Sequence, residues 1–210
     1  MASTEASSLI ITALGGALGA LILRSSIKLL GALLARRTPI AIYECACPER
    51  LALGDLHHSW GHEVTDSSAK SGKAWEYNLQ FIYRPGEQVT GEHTIFGPYI
   101  NDFGKPGFYR VSYRICGRGF PKTEEPVISL DIVQARFGTD QVLRLLGQRV
   151  IRAKELSGEY QDFDIVCHAP GTGVYEYRCA VIPKGVALDK RTIRFDRISV
   201  FSHPSIWEAL

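Results

Sequence analysis

Phe108 to Ile115, near the middle of the chain, alternate from Tyr109 onward. Tyr109, Val111, Tyr113 and Ile115 fall on one side of an extended chain, and Arg110, Ser112 and Arg114 fall on the other. A period of two is the mark of a half-buried strand, because a helix would spread these residues around its surface. The pattern recurs in residues 74–83, where Trp75, Tyr77, Leu79, Phe81 and Tyr83 share a face opposite Glu76, Asn78 and Gln80. It recurs again through Phe163, Ile165 and Cys167, and through Tyr175, Tyr177, Cys179 and Val181. Ile40 to Ala46, His93 to Ile100 and Val127 to Arg136 also read as strands, and Thr192 to Phe201 as the closing one. In that last run the apolar phase slips between Phe195 and Ile198, which predicts a bulge near Asp196. Gln141 to Ile151 is ambiguous between a helical turn and a strand, and Pro48 to Gly72 reads mostly as loop.

Turn chemistry separates the runs at Arg84-Pro85-Gly86, Lys105-Pro106-Gly107, Ala169-Pro170-Gly171 and Pro183-Lys184-Gly185. About nine short strands with no long helix between them predict an all-β fold of antiparallel sheets. The natural closure is a β-sandwich or jelly roll, spanning residues 38–210.

The N-terminal 37 residues differ in kind. Leu9 to Leu23 is an unbroken run of 15 apolar and small residues. As a helix it covers about 22 Å, against the roughly 30 Å of a bilayer core. Ile27, Leu29, Leu30, Leu33 and Leu34 extend the apolar stripe, and Arg24 and Lys28 lie one turn apart, able to snorkel toward head groups. Gly15 and Gly19 have the spacing that lets two membrane helices approach closely. Residues 2–8 hold no Lys or Arg, whereas the positive charges follow the run, unlike a secretory signal peptide. Residues 1–37 are therefore expected to form an N-terminal hydrophobic helix, a single-pass membrane anchor with a basic extension. The C-terminal domain is expected on the cytoplasmic side.

Charge and cysteine content narrow the function classes. Four of the 24 basic residues and one of the 22 acidic residues precede Thr38, leaving 20 against 21 in the rest. A near-neutral domain lacks the cationic surplus that phosphate backbones demand, so nucleic acid is not an expected partner. Five cysteines, Cys45, Cys47, Cys116, Cys167 and Cys179, cannot pair completely within one chain and show no zinc-ligand spacing. They read as buried or half-buried thiols in a reducing compartment.

No nucleophile elbow, phosphate-binding loop or H-E-x-x-H zinc helix is present, and no catalytic residue is assigned. His57, His58 and His62 lie near Glu63 and Asp66 and read as an exposed polar loop. Asp162 and Asp164 share a strand face and read as a solvated surface. The in-phase tyrosines read as core. Trp60 and Tyr99, near predicted loops or strand ends, are the candidates for stacking against a ligand.

The ordered series IYECA, EVTDSSAKSGKAW, FGPYI, PGFYRVSYRI, VISLDIV, YQDFDI, VYEYRC and IRFDRISVF resembles the galactose-binding-like jelly roll of carbohydrate-binding modules. The likeness runs from about Ile40 to Phe201. It rests on Glu44 in the first strand, Ser71-Gly72 before the second, Gly107 to Val111, and Asp196 introducing the last strand. The resemblance implies a non-catalytic module that binds a glycan or glycolipid head group, which the N-terminal run is expected to tether to a membrane. It also implies a structural calcium on Glu44 and Asp196, although Ala46 stands where many members carry a second acid. The alternative it leaves open is a protein-interaction or scaffolding sandwich that partners a glycosyltransferase or other glycan-processing protein.

Overall fold

The computed structural model describes residues 38–46, 55–59, 61–78, 93–101, 103–136, 141–182 and 191–202. The apolar run Leu9 to Leu23, Cys47 and Trp60 lie outside the described residues. Among the described residues no helix is long and apolar enough to cross a membrane.

The described residues form twelve strands in order: β1 (Ala41–Glu44), β2 (His57–His58), β3 (His62–Thr65), β4 (Lys73–Asn78), β5 (Ile95–Phe96), β6 (Pro98–Ile100), β7 (Gly107–Arg118), β8 (Pro126–Ala135), β9 (Val142–Arg152), β10 (Gln161–Ala169), β11 (Val174–Val181) and β12 (Thr192–Ser202). A 3-10 turn, Ala153–Glu155, follows β9. The first sheet has the order β10-β7-β12-β4-β3, with β1 also pairing β12. The second has the order β2-β5-β11-β8-β9, with β6 also pairing β11. All these pairings are antiparallel. The fold is therefore the all-β sandwich that the alternation predicts.

The inner faces carry the core. Tyr109, Val111, Tyr113 and Ile115 of β7 are buried against Ile128, Leu130 and Ile132 of β8 and Tyr175, Tyr177 and Cys179 of β11. The Tyr113 hydroxyl donates across this core to the Asp131 carbonyl at 2.8 Å, tying one sheet to the other. At one end, Phe103 stands between Tyr109 and Tyr175, with ring centroids 4.3 and 4.4 Å away. Both tyrosines bond back to a carbonyl four residues upstream, Tyr109 to Lys105 and Tyr175 to Gly171. At the side of the sandwich, Gly147 lets β9 approach β10: a Cβ there would meet Ile165 Cγ2 at 2.6 Å.

Three expectations change. Residues 57–58 and 62–65 are short strands, because β5 and β4 supply the hydrogen-bonding partners that a loop reading ignores. Gln141 to Ile151 resolves as strand β9, paired to β8 along its length. The run from His93 to Ile100 breaks in two at the cis Gly97-Pro98 bond. The predicted bulge is present, with the register of β12 against β7 shifting between Phe195 and Arg197. Cys45, Cys116, Cys167 and Cys179 are all buried free thiols, as read from the sequence.

Candidate functional site

The predicted site residues that fall among the described residues lie on different sheets of the sandwich. Tyr99 belongs to the second sheet, whereas Glu44 and Asp196 belong to the first.

Tyr99 is placed by an unusual backbone. Gly97 has φ +109°, and a Cβ there would stand 3.1 Å from the Asp55 carbonyl oxygen, so glycine is required. Tyr99 itself has φ +61°, a left-handed conformation that costs a bulky residue on the order of 1–3 kcal/mol. Its hydroxyl lies 3.0 Å from Oε1 of Glu176, to which it donates. Its ring lies 5.8 Å from His57, which stacks on Phe96. Glu176 points outward because its neighbours Tyr175 and Tyr177 fill the core.

Two residues along β11, on the same face, Arg178 forks onto Asp131 of β8. Arg178 Nε donates to Oδ1 at 2.6 Å and Nη2 to Oδ2 at 2.9 Å. The pair is directly opposed across the strands, and the next strand places Gln148 opposite Asp131. Gln148 donates to the Ser129 hydroxyl at 3.4 Å. A band of Tyr99, Glu176, Arg178, Asp131 and Gln148 thus crosses β6, β11, β8 and β9. His93 faces the fork, and burial followed by the Arg178 charge lowers its imidazole against the opposing pull of Asp131. The band combines an aromatic ring, fixed carboxylates and a planar guanidinium, groups able to make paired hydrogen bonds to vicinal hydroxyls.

The alternation of β11 made Glu176 and Arg178 outward-facing in the sequence. What it could not show was the register that sets Asp131 opposite Arg178.

On the first sheet, Asp196 is fully buried. Its Oδ2 accepts from Arg114 Nε and from the Lys70 backbone N–H, each at 3.0 Å. Arg197 Nε is 3.8 Å from Asp196 Oδ2, and Arg197 Nη1 is 3.8 Å from Glu44 Oε1. Glu44 Oε2, Asp196 Oδ1 and Arg197 Nε are buried without a hydrogen-bond partner. Calcium takes six to eight oxygens. Here the two carboxylates already face arginines, and residue 46 is alanine. Among the described residues no cluster of three or more His, Cys, Asp or Glu could hold a metal.

The remaining polar face of this sheet is densely paired. Arg110 meets Asp164 at 3.2 Å and Arg114 meets Asp162 at 3.7 Å, so the two aspartates pair with arginines of β7. Arg194 bridges Glu76 at 2.6 Å and Asp66 at 2.7 Å.

The histidines near residue 60 do not assemble into a metal site. His62 is exposed, 3.9 Å from Glu76, whereas His58 stacks on Trp75 at a centroid distance of 4.1 Å. Burial holds the His58 imidazole down at about 4, against a raising hydrogen bond with the Cys45 backbone and with a small lowering from His57. An unfolded histidine titrates near 6.5. Between pH 6.5 and 4 the unfolded chain therefore takes up a proton that the folded one refuses. Stability should fall across that window as pH drops, and His58→Gln should flatten the slope in thermal melts at pH 7.0 and 4.5. An unchanged slope in the variant would place the sensitive group elsewhere.

Comparisons with known proteins add a likeness of chain path. No family model and no curated protein matches the sequence. Among solved structures, the chain is similar to carbohydrate-binding module CBM6cm-2 of Cellvibrio mixtus lichenase 5A, solved with cellotriose. The two share 10% identity over 79% of this chain and 98% of that one, at a TM-score of 0.44. It is similar to a family 35 carbohydrate-binding module from Clostridium thermocellum, at 12% identity over 78% and 99% of the chains and a TM-score of 0.46. A third is the CBM22-1 xylan-binding domain of Paenibacillus barcinonensis Xyn10C, at 7% identity over 80% and 96% and a TM-score of 0.44. At such values no function follows from the likeness.

Proposed function

We propose that the sandwich is a non-catalytic glycan-binding module, with its site on the band from Tyr99 to Gln148. The observation that carries this reading is the Tyr99 phenol. It is held in a strained left-handed conformation and bonded to Glu176, beside the Arg178–Asp131 fork. Strain of that kind persists where the surroundings enforce it, and it collects at binding sites. A sugar ring offers an apolar face to Tyr99 and adjacent hydroxyls to the carboxylates and guanidinium. The apolar run Leu9 to Leu23 supports tethering to a membrane, which would present the band to a glycan or a glycolipid head group.

The test is a glycan array with the full-length protein in detergent, followed by titration of the best ligand. Tyr99→Gly should weaken binding at least about tenfold, the loss of one well-formed contact. It should barely lower the melting temperature, because glycine relieves the left-handed strain. Parent-like binding by the variant, or an array without hits, would sink the assignment. A second reading, the interaction sandwich, is favoured by β9. This edge strand exposes Leu143 at 56% and Leu145 at 53%, and apolar edges template pairing with other chains. An array without hits together with loss of a bound protein in Leu143→Glu would decide for it.

A further inference from the structure

We propose that the guanidinium of Arg197 is the resident cation joining the first strand to the last, and that the sandwich holds no metal at this junction. The bulge in β12 makes this arrangement. In a regular strand two consecutive residues face opposite sides. Here Phe195 and Ile198 both point into the core, and the extra residue between them leaves Asp196 and Arg197 together on the outer face. Glu44 of β1 is the direct cross-strand partner of Arg197. The guanidinium therefore stands between two carboxylates, 3.8 Å from one oxygen of each. Three buried atoms lack hydrogen bonds at this point, one donor (Arg197 Nε) and two acceptors (Asp196 Oδ1 and Glu44 Oε2). A shift of roughly 1 Å by the guanidinium would bring its nitrogens within hydrogen-bonding range.

The charges agree. Glu44 and Asp196 carry two negative charges, and Arg197 and Arg114 carry two positive ones against them. A divalent cation placed here would add charge with no partner, in a place where Asp196 is wholly out of water. The planar fork of arginine also suits two carboxylates in a way that a lysine ammonium does not.

The experiment uses the full-length protein, stripped of metal and melted in EDTA or in millimolar calcium chloride. The parent should melt within about 1 °C in the two buffers, since a ligand that does not bind the folded state cannot stabilise it. Arg197→Ala should melt more than about 5 °C lower than the parent. It should also gain a calcium-dependent rise, because two carboxylates are left without their cation. Arg197→Lys keeps the charge but loses the fork, so it should fall between and respond to calcium less than Arg197→Ala. A calcium-dependent rise of several degrees in the parent would overturn the proposal, as would an Arg197→Ala variant that melts with the parent. Should Arg197→Ala fail to fold, the parent's two melts and those of Arg197→Lys still decide.

Discussion

Val111→Asp is expected to unfold the domain. Val111 is fully buried in β7, opposite Ile165 of β10 on one side and Val200 of β12 on the other. All three belong to the apolar core, so a carboxylate introduced among them would be cut off from water. An unpaired buried carboxylate costs several kcal/mol or more, comparable with the 5–15 kcal/mol that holds a typical domain together. The far-ultraviolet spectrum and urea titration of the variant should show an unfolded chain at pH 7. Val166→Asp is the matched control. Val166 lies next to Ile165 on β10 but faces outward and is 53% exposed, so that variant should remain folded. If both variants fold equally well, the facing of β7 is wrong.

Arg194→Ala should have the second-largest effect. Arg194 joins Glu76 of β4 to Asp66, the residue that also organises the following turn by accepting from the Ser68 N–H. The Tyr160 hydroxyl donates to the same Asp66 carboxylate at 3.1 Å. The side chains of Asp66 and Glu76 are only 6% and 12% exposed, so removing the guanidinium strands two carboxylates that water reaches poorly. Breaking such a pair by deleting one partner costs about 3–5 kcal/mol. Chemical denaturation at pH 7 should show a loss of that order, and Arg194→Lys should recover part of it. A loss below about 1 kcal/mol would mean that the pair behaves as a surface salt bridge.

The same pair sets an acid limit. Burial alone would raise the Asp66 carboxyl. Hydrogen bonds from Arg194, Ser68 and Tyr160, with the charge of Arg194, outweigh it and hold the group below its ordinary value. A depressed carboxylate contributes stability above its unfolded value, near 3.9. That contribution disappears as pH falls through the folded value. Acid unfolding of Arg194→Ala should accordingly begin at higher pH than in the parent.

The strands best read from the sequence are those with one face in the core and one in water. β7, β10 and β11 declared themselves by period alone, and the slip of phase in β12 gave the bulge at Asp196. β2 and β3 did not, because their residues are polar and their extended form depends on β5 and β4 alongside. The break at Gly97-Pro98 carried a local signal in its Gly-Pro dipeptide, which the apolar run around it obscured.

The site was less legible than the fold, since charged partners are chosen by register. Glu44 and Asp196 stood out individually, but nothing in the sequence showed that Arg197 and Arg114 would face them. The Arg178–Asp131 fork was hidden for the same reason, its members being 47 positions apart in the chain. The position of Tyr99 near a strand end is visible in the sequence, whereas its left-handed backbone is a property that side-chain pattern does not encode.

The position of β12 has a consequence for how the protein is made. Residues 192–202 form a middle strand of the first sheet, flanked by β7 on one side and by β4 and β1 on the other. A nascent chain that has extruded β1 through β11 has both sheets begun, yet the first lacks the strand that joins its halves. The facing edges of β7 and β4 must wait, unpaired, until β12 leaves the ribosomal tunnel. Open edges of that kind invite pairing with other chains. A ribosome stalled with β12 still inside should therefore hold a chain that proteases cut readily, and emergence of β12 should bring protection in a single step.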